Sequence, residues 1–140
     1  IRFGVINKFN GAHYPGLKPY SEVFLESAKK INFRKPVKNM ISTVYPDRKS
    51  DLNFNAEYWA EHIYKPVRFR QAIERLPEDT GLVLDVGISP VLLGMAKSNL
   101  SQLDESVFIP TIQSGRNYRQ QIENSMQKVT GLGISINTEL

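Results

Sequence analysis

The 140-residue chain contains no cysteine. That excludes disulfides, thiolate zinc sites and a cysteine nucleophile, and it suits a reducing compartment. No apolar run reaches the roughly 18 residues that a membrane-spanning helix needs. The opening IRFGVINKFN has too short an apolar run for a signal peptide, and no cleavage site follows it. There is no initiator methionine, so Ile1 reads as an internal start within something longer. Histidine is scarce, at two residues. Serine never appears in the strand–turn–helix elbow G-x-S-x-G, so the chain completes no Ser–His pair of its own. Basic residues are scattered, as at Arg34, Lys35, Lys38, Arg48, Arg68 and Arg116, and no aromatic stacking motif accompanies them. The net charge of +4 and pI near 9.4 therefore point to an acidic partner or a phosphorylated ligand rather than nucleic acid. Neither an internal repeat nor a low-complexity tract is present.

What remains is an ordinary globular composition, 41% apolar and 23% charged, sized for one domain or part of a larger one. RFGVIN (2–7) reads as a strand and GAHYPG (11–16) as a loop. PYSEVFLESAKKI (19–31) reads as a helix with Val23, Phe24, Ala28 and Ile31 inward. VKNMISTVY (37–45) alternates like a strand, which places Ser42 mid-strand. AEYWAEHIY (56–64) is a helix that ends before Pro66. VRFRQAIERL (67–76) is another, with Val67, Ala72, Ile73 and Leu76 inward. LVLDVG (82–87) reads as a buried parallel strand. Ser89 is the expected cap of the helix that follows it, with Pro90 as its first residue. FIPTIQ (108–113) is a short strand. A helix over 114–131 is expected to be capped by Ser114, stopped by Gly131, and to share Tyr118, Ile122, Met126 and Val129 on one face. GISIN (133–137) is a candidate last strand. Strands alternating with helices define an α/β order with a mostly parallel sheet.

Two histidines carry the chemistry that the residues allow. His13 lies on a loop after a predicted strand, where functional groups sit on α/β scaffolds, and is a candidate general base; the competing reading is a surface-loop histidine. His62 lies within a helix, with no carboxylate cluster to make a metal site. Glu57, Glu61, Asp85 and Glu123 have helix-face or strand-end explanations. Gly87 before Ser89 is a weak signal for a phosphate-binding turn.

Three ordered stretches go further. His13-Tyr14-Pro15-Gly16-Leu17-Lys18-Pro19 is followed by Tyr58-Trp59 with His62 and Pro66-Val67-Arg68-Phe69, and then by Asp85-Val86-Gly87-Ile88-Ser89-Pro90-Val91-Leu92. In this order and spacing they resemble the C-terminal half of the acyltransferase domains of type I fatty acid and polyketide synthases, the malonyl/acyl-CoA:acyl-carrier-protein transacylases. ISTVYPD (41–47) looks closest to animal-type synthases. The resemblance implies an α/β-hydrolase-like domain: residues 1–10 end a ferredoxin-like small subdomain, 11–112 form the C-terminal part of the large subdomain, and 113–140 are a following linker helix and strand.

The resemblance also implies a mechanism. A serine attacks an acyl-CoA thioester, a histidine takes its proton, and the acyl group passes to the phosphopantetheine thiol of an acyl carrier protein. His13 matches that histidine. The His62 main-chain carbonyl matches the group that orients it, as a carboxylate does in a triad. The serine, the carboxylate-gripping arginine and the oxyanion donors belong upstream of Ile1, so this segment alone is expected to be inactive. Asn10, Gly11 and Ala12 match the substrate-selecting residues; the small Ala12 suggests room for methylmalonyl as well as malonyl. Ile88 and Tyr14 replace a common proline and a common serine. Partners implied are acyl-CoA, an acidic carrier protein, and the ketosynthase and linker domains of a cytoplasmic, homodimeric synthase. No metal, bound cofactor, membrane or nucleic acid is expected. The alternative is a non-catalytic docking segment of acyltransferase ancestry.

Overall fold

The computed structural model describes residues 11–48, 52–113 and 115–137. The expected strand at 2–7, Asn10 and the Ser114 cap lie outside the described residues. The chain divides into two compact units, 1–72 and 73–140.

In the first unit a 3-10 turn, Pro15–Leu17, runs into helix α1, Lys18–Ala28, with proline in its first turn, where a missing N–H costs nothing. α1 packs against helix α2, Ala56–Tyr64. The buried positions of α1 are Ser21 and Ala28, and those of α2 are Ala56, Tyr58 and Ala60. This corrects the expected face: Val23 is 72% exposed, and Phe24 and Ile31 are exposed as well. Small residues at 21 and 28 give α1 a flatter stripe for close helix packing, and Ser21 satisfies its hydroxyl on the Lys18 carbonyl at 2.7 Å. α2 has the expected bounds. The Asn55 side chain caps it by accepting from the Tyr58 N–H at 3.0 Å, and Lys65 leaves it in an extended conformation, as a residue before proline must.

The expected strand at 37–45 does not form. The Ser42 hydroxyl accepts from the N–H groups of Val44 (3.1 Å) and Tyr45 (3.0 Å), taking the donors that a strand ladder would use. Helix α3 is short, Phe69–Ile73, with Ala72 buried, and Val67 lies before it, exposed.

In the second unit β1, Val83–Asp85, pairs in parallel with β2, Phe108–Pro110, in the register Val83↔Phe108. Helix α4, Val91–Asn99, connects them and packs on both strands. Helix α5, Tyr118–Gly131, packs on β2. Phe108 and Ile109 form the buried centre of this unit, while Leu84 of β1 is exposed. Pro90, not Ser89, stands at the N-cap of α4. Pro90 offers no capping side chain, and the Asp85 carboxylate instead accepts from the Leu93 N–H at 3.3 Å. α5 is capped by the Asn117 side chain and turns off at Gly133, whose φ is +78°. Its buried positions are Ser125 and Val129; Tyr118 and Ile122 are exposed. The Ser125 hydroxyl donates to the Pro110 carbonyl at 2.7 Å, and the Gln121 amide pairs with both backbone groups of Gln113. Residues 134–137 form no strand.

Candidate active site

His13 is the one non-glycine residue with positive φ among the described residues, at +60°. Histidine tolerates this left-handed region better than most side chains, yet the conformation costs on the order of 1–3 kcal/mol and needs support. Two bonds to the end of α2 supply it. The His13 N–H donates to the Ile63 carbonyl at 2.7 Å, and ring Nδ1 lies 3.2 Å from the Lys65 carbonyl. Ile63 belongs to the last turn of α2 and Lys65 is the residue just past it, where carbonyls lack helical donors. A carbonyl can only accept. Nδ1 therefore carries a proton in this hydrogen bond, and in the neutral ring Nε2 keeps its lone pair.

The expected orienting carbonyl was that of His62; the structure puts Lys65 there instead. Pro66 provides the reason. It drives Lys65 out of helical geometry, which turns the Lys65 carbonyl away from the helix ladder. His62 meets His13 through its ring: the two imidazoles stand edge to face, centroids 4.9 Å apart. Trp59 and Tyr58 pack on the other sides of His62, at 5.4 and 6.0 Å. Burial, and secondarily the positive charge of His13, push the His62 imidazole below its ordinary range.

Lys65 is itself held. Its ammonium lies 3.1 Å from Glu61 Oε2, one helical turn back, and 4.3 Å from the centroid of the Tyr45 ring. It also donates to the Tyr45 hydroxyl, which donates to Glu61. Tyr45 is fixed from behind by its N–H on the fully buried Ser42, whose hydroxyl also meets the Tyr58 hydroxyl at 3.0 Å. Among the described residues no group of three or more His, Asp or Glu side chains is placed to hold a metal ion, and no helix is long and apolar enough to cross a membrane.

No family model matches the chain. The chain is 29% identical over 131 residues to the non-reducing polyketide synthase VdtA of Byssochlamys spectabilis, covering 89% of this chain and 6% of that protein. It is 30% identical over 114 residues to the polyketide synthase GfsB of Streptomyces halstedii, covering 74% of this chain and 2% of that one. The acyltransferase domain from the second module of the salinomycin polyketide synthase superposes with a TM-score of 0.78 at 22% identity, over 90% of this chain and 30% of that one. The chain is a homologue of polyketide synthases with the fold of part of an acyltransferase domain. It spans a few per cent of the length of these curated relatives.

His13 and His62 come together, and Gly11 and Ala12, which precede His13 in the chain, are both exposed. A Cβ at Gly11 would meet nothing within 4 Å. Ile88 and Tyr14 are also exposed. Gly87 does not open a phosphate site. The Asp85 carboxylate already occupies the N-terminus of α4, and its Oδ1 would lie 3.1 Å from a Cβ at Gly87. Thr111 closes the same turn, donating to the Asp85 carbonyl at 2.9 Å. Sequence reasoning missed Tyr45 and Lys65. The Glu61–Lys65 spacing of four was a readable signal; the approach of Tyr45 was not.

Proposed function

We propose that this chain carries the general base of an acyltransferase that loads malonyl or methylmalonyl units from CoA onto an acyl carrier protein within a polyketide synthase. The observation that supports it is the Nδ1 contact of His13 with a main-chain carbonyl. It leaves Nε2 as the proton acceptor, the arrangement a serine nucleophile requires of its base. In this reading the serine lies outside these residues. Its hydroxyl adds to the thioester carbonyl as Nε2 takes the proton; the CoA sulfur leaves and receives that proton, and an acyl-serine remains. The phosphopantetheine thiol then gives its proton to Nε2, displaces the serine oxygen, and carries the acyl group away. The His13 imidazolium that forms in each half faces the negative end of α2, which stabilises it.

The same reading makes residues 11–112 part of the large acyltransferase subdomain and 113–140 a linker segment. It makes the carrier protein and a neighbouring ketosynthase the partners, and a cytoplasmic homodimer the parent. The test is intact-mass measurement of acyl-enzyme in the full protein carrying this sequence, after brief exposure to malonyl-CoA and methylmalonyl-CoA. His13→Gln is expected to slow acylation on the order of a thousandfold or more; acylation at the parental rate would refute the assignment. Ala12→Phe is expected to lower methylmalonyl use relative to malonyl by about tenfold or more. An unchanged ratio in a competition assay would remove Ala12 from substrate selection.

A further inference from the structure

We propose that Tyr45, Glu61 and Lys65 are positioning residues whose joint contact holds the Lys65 carbonyl against the His13 ring. This rests on the reading of His13 as the base. The argument starts from Lys65, whose two ends do different things. Its main-chain carbonyl receives the His13 Nδ1 proton. Its side chain is anchored to Glu61 on α2 and to Tyr45 on the loop that Ser42 fastens down. Pro66 restricts Lys65 to extended geometry, which sets the general direction of its carbonyl but not the position of the residue relative to the His13 loop. Here the ammonium is fixed on two elements, so a shift of Lys65 that carried its carbonyl away from the ring would strain both of its ammonium contacts.

An isolated exposed ion pair would contribute little. This one is different because a tyrosine hydroxyl stands between the two charges, and only about a third of either charged side chain is exposed, 29% for Lys65 and 37% for Glu61. The ionisation states match what the bonds need. Burial, then the bond to Glu61, raise the Tyr45 hydroxyl above its ordinary range, so it remains a donor at neutral pH. Burial pushes Glu61 up, but its bonds to Tyr45 and Lys65, with Arg48 nearby, leave it below its ordinary range as a carboxylate. Burial likewise lowers Lys65, and the bonds to Tyr45 and Glu61 more than reverse it. The His62 ring is the other titratable group against His13; it does not touch the three-way contact.

The test uses Tyr45→Phe, Glu61→Gln and Lys65→Met in the full protein, with Lys97→Met as a control that breaks a contact in the other unit. Two readouts are taken. One is kcat and KM for acyl loading from malonyl-CoA. The other is peptide-level mass spectrometry of His13 after diethyl pyrocarbonate treatment, which counts one or both ring nitrogens modified. The three variants are expected to lose roughly fivefold or more in kcat, the worth of one hydrogen bond, with KM changed less than about twofold. Doubly modified His13 is expected to rise by a similar factor as Nδ1 is released, while Lys97→Met moves neither readout. If Tyr45→Phe unfolds, Glu61→Gln decides, since it keeps the side-chain shape. The inference is overturned if His13→Gln abolishes loading yet the variants match the parent in both readouts. If His13→Gln loads normally, the base assignment fails, and the modification pattern still decides whether the contact holds the ring.

Discussion

His62 illustrates how one residue can be placed correctly and used differently. Its position in a helix was readable from AEYWAEHIY, and its ring does stand half-buried there. What faces it is another imidazole. Burial and that neighbour lower its proton affinity in the folded state, so the unfolded chain binds the proton more readily. The stability linked to His62 is therefore fully present above its ordinary value of 6.5, and is lost as pH falls from there through the lower folded value. Chemical denaturation at pH 7.5 and pH 5 is expected to show that loss, and His62→Gln to flatten it. An equal slope in the variant would assign the acid sensitivity elsewhere. Ser42 makes a second case at this scale. It is fully buried and accepts from two N–H groups while meeting a tyrosine hydroxyl. Ser42→Ala would strand those groups, each at about 1–3 kcal/mol when buried without a partner. Urea titration is expected to show a destabilisation of about 2 kcal/mol or more.

At the scale of elements, what was legible depended on whether the deciding contact was local. α2 was readable to the residue because its signals are adjacent in the chain: Asn55 before it, apolar spacing within it, Pro66 after it. For α5 only the end at Gly131 was legible; it starts at Tyr118, capped by Asn117, rather than at 114, and the parallel pairing of β1 with β2 across α4 agrees with the expected α/β order. The stretch 37–45 was not, because the Ser42 hydroxyl competes with the strand, and alternation alone does not reveal that competition. The inward faces of α1 and α5 were misread in one way. Ala28 and Val129 are inward as expected, but Val23, Phe24 and Ile31 of α1 and Tyr118 and Ile122 of α5 are exposed, and Ser21 and Ser125 are buried instead. Serine is cheap to bury when its hydroxyl bonds a carbonyl nearby, as both of these do. The cap of α4 was missed because its acceptor, the Asp85 carboxylate, sits eight residues before the Leu93 N–H that donates to it. Asp85→Ala is expected to cost about 1 kcal/mol, the usual worth of a helix cap, and to leave α2 untouched. Hydrogen exchange that accelerates in α4 alone would bear this out; unchanged exchange there would mean that β1 and β2 hold the helix without the cap.

Across the molecule as a whole, charge was the most legible property and the least local. The net +4 says nothing about where positive charge gathers, and the site's own cation, Lys65, is spent on Glu61 and Tyr45. In the first unit the segment after α1 is different. Arg34, Lys35 and Lys38 are all exposed there, and Val37 between them is 95% exposed, with Met40 exposed as well. Three cations around a bare apolar side chain suit an acidic partner with an apolar contact point, the chemistry expected of the carrier protein in the proposed function. Such a patch acts on encounter more than on chemistry. Raising salt from about 50 to about 500 mM shrinks the Debye length to a few ångströms, so KM for the carrier protein is expected to rise about tenfold or more while kcat for acylation from CoA holds. Replacing Arg34, Lys35 and Lys38 together by alanine is expected to raise KM at low salt and to flatten its salt dependence. If the triple variant keeps the parental slope, the carrier protein approaches elsewhere, and this segment's charge serves only its solvation.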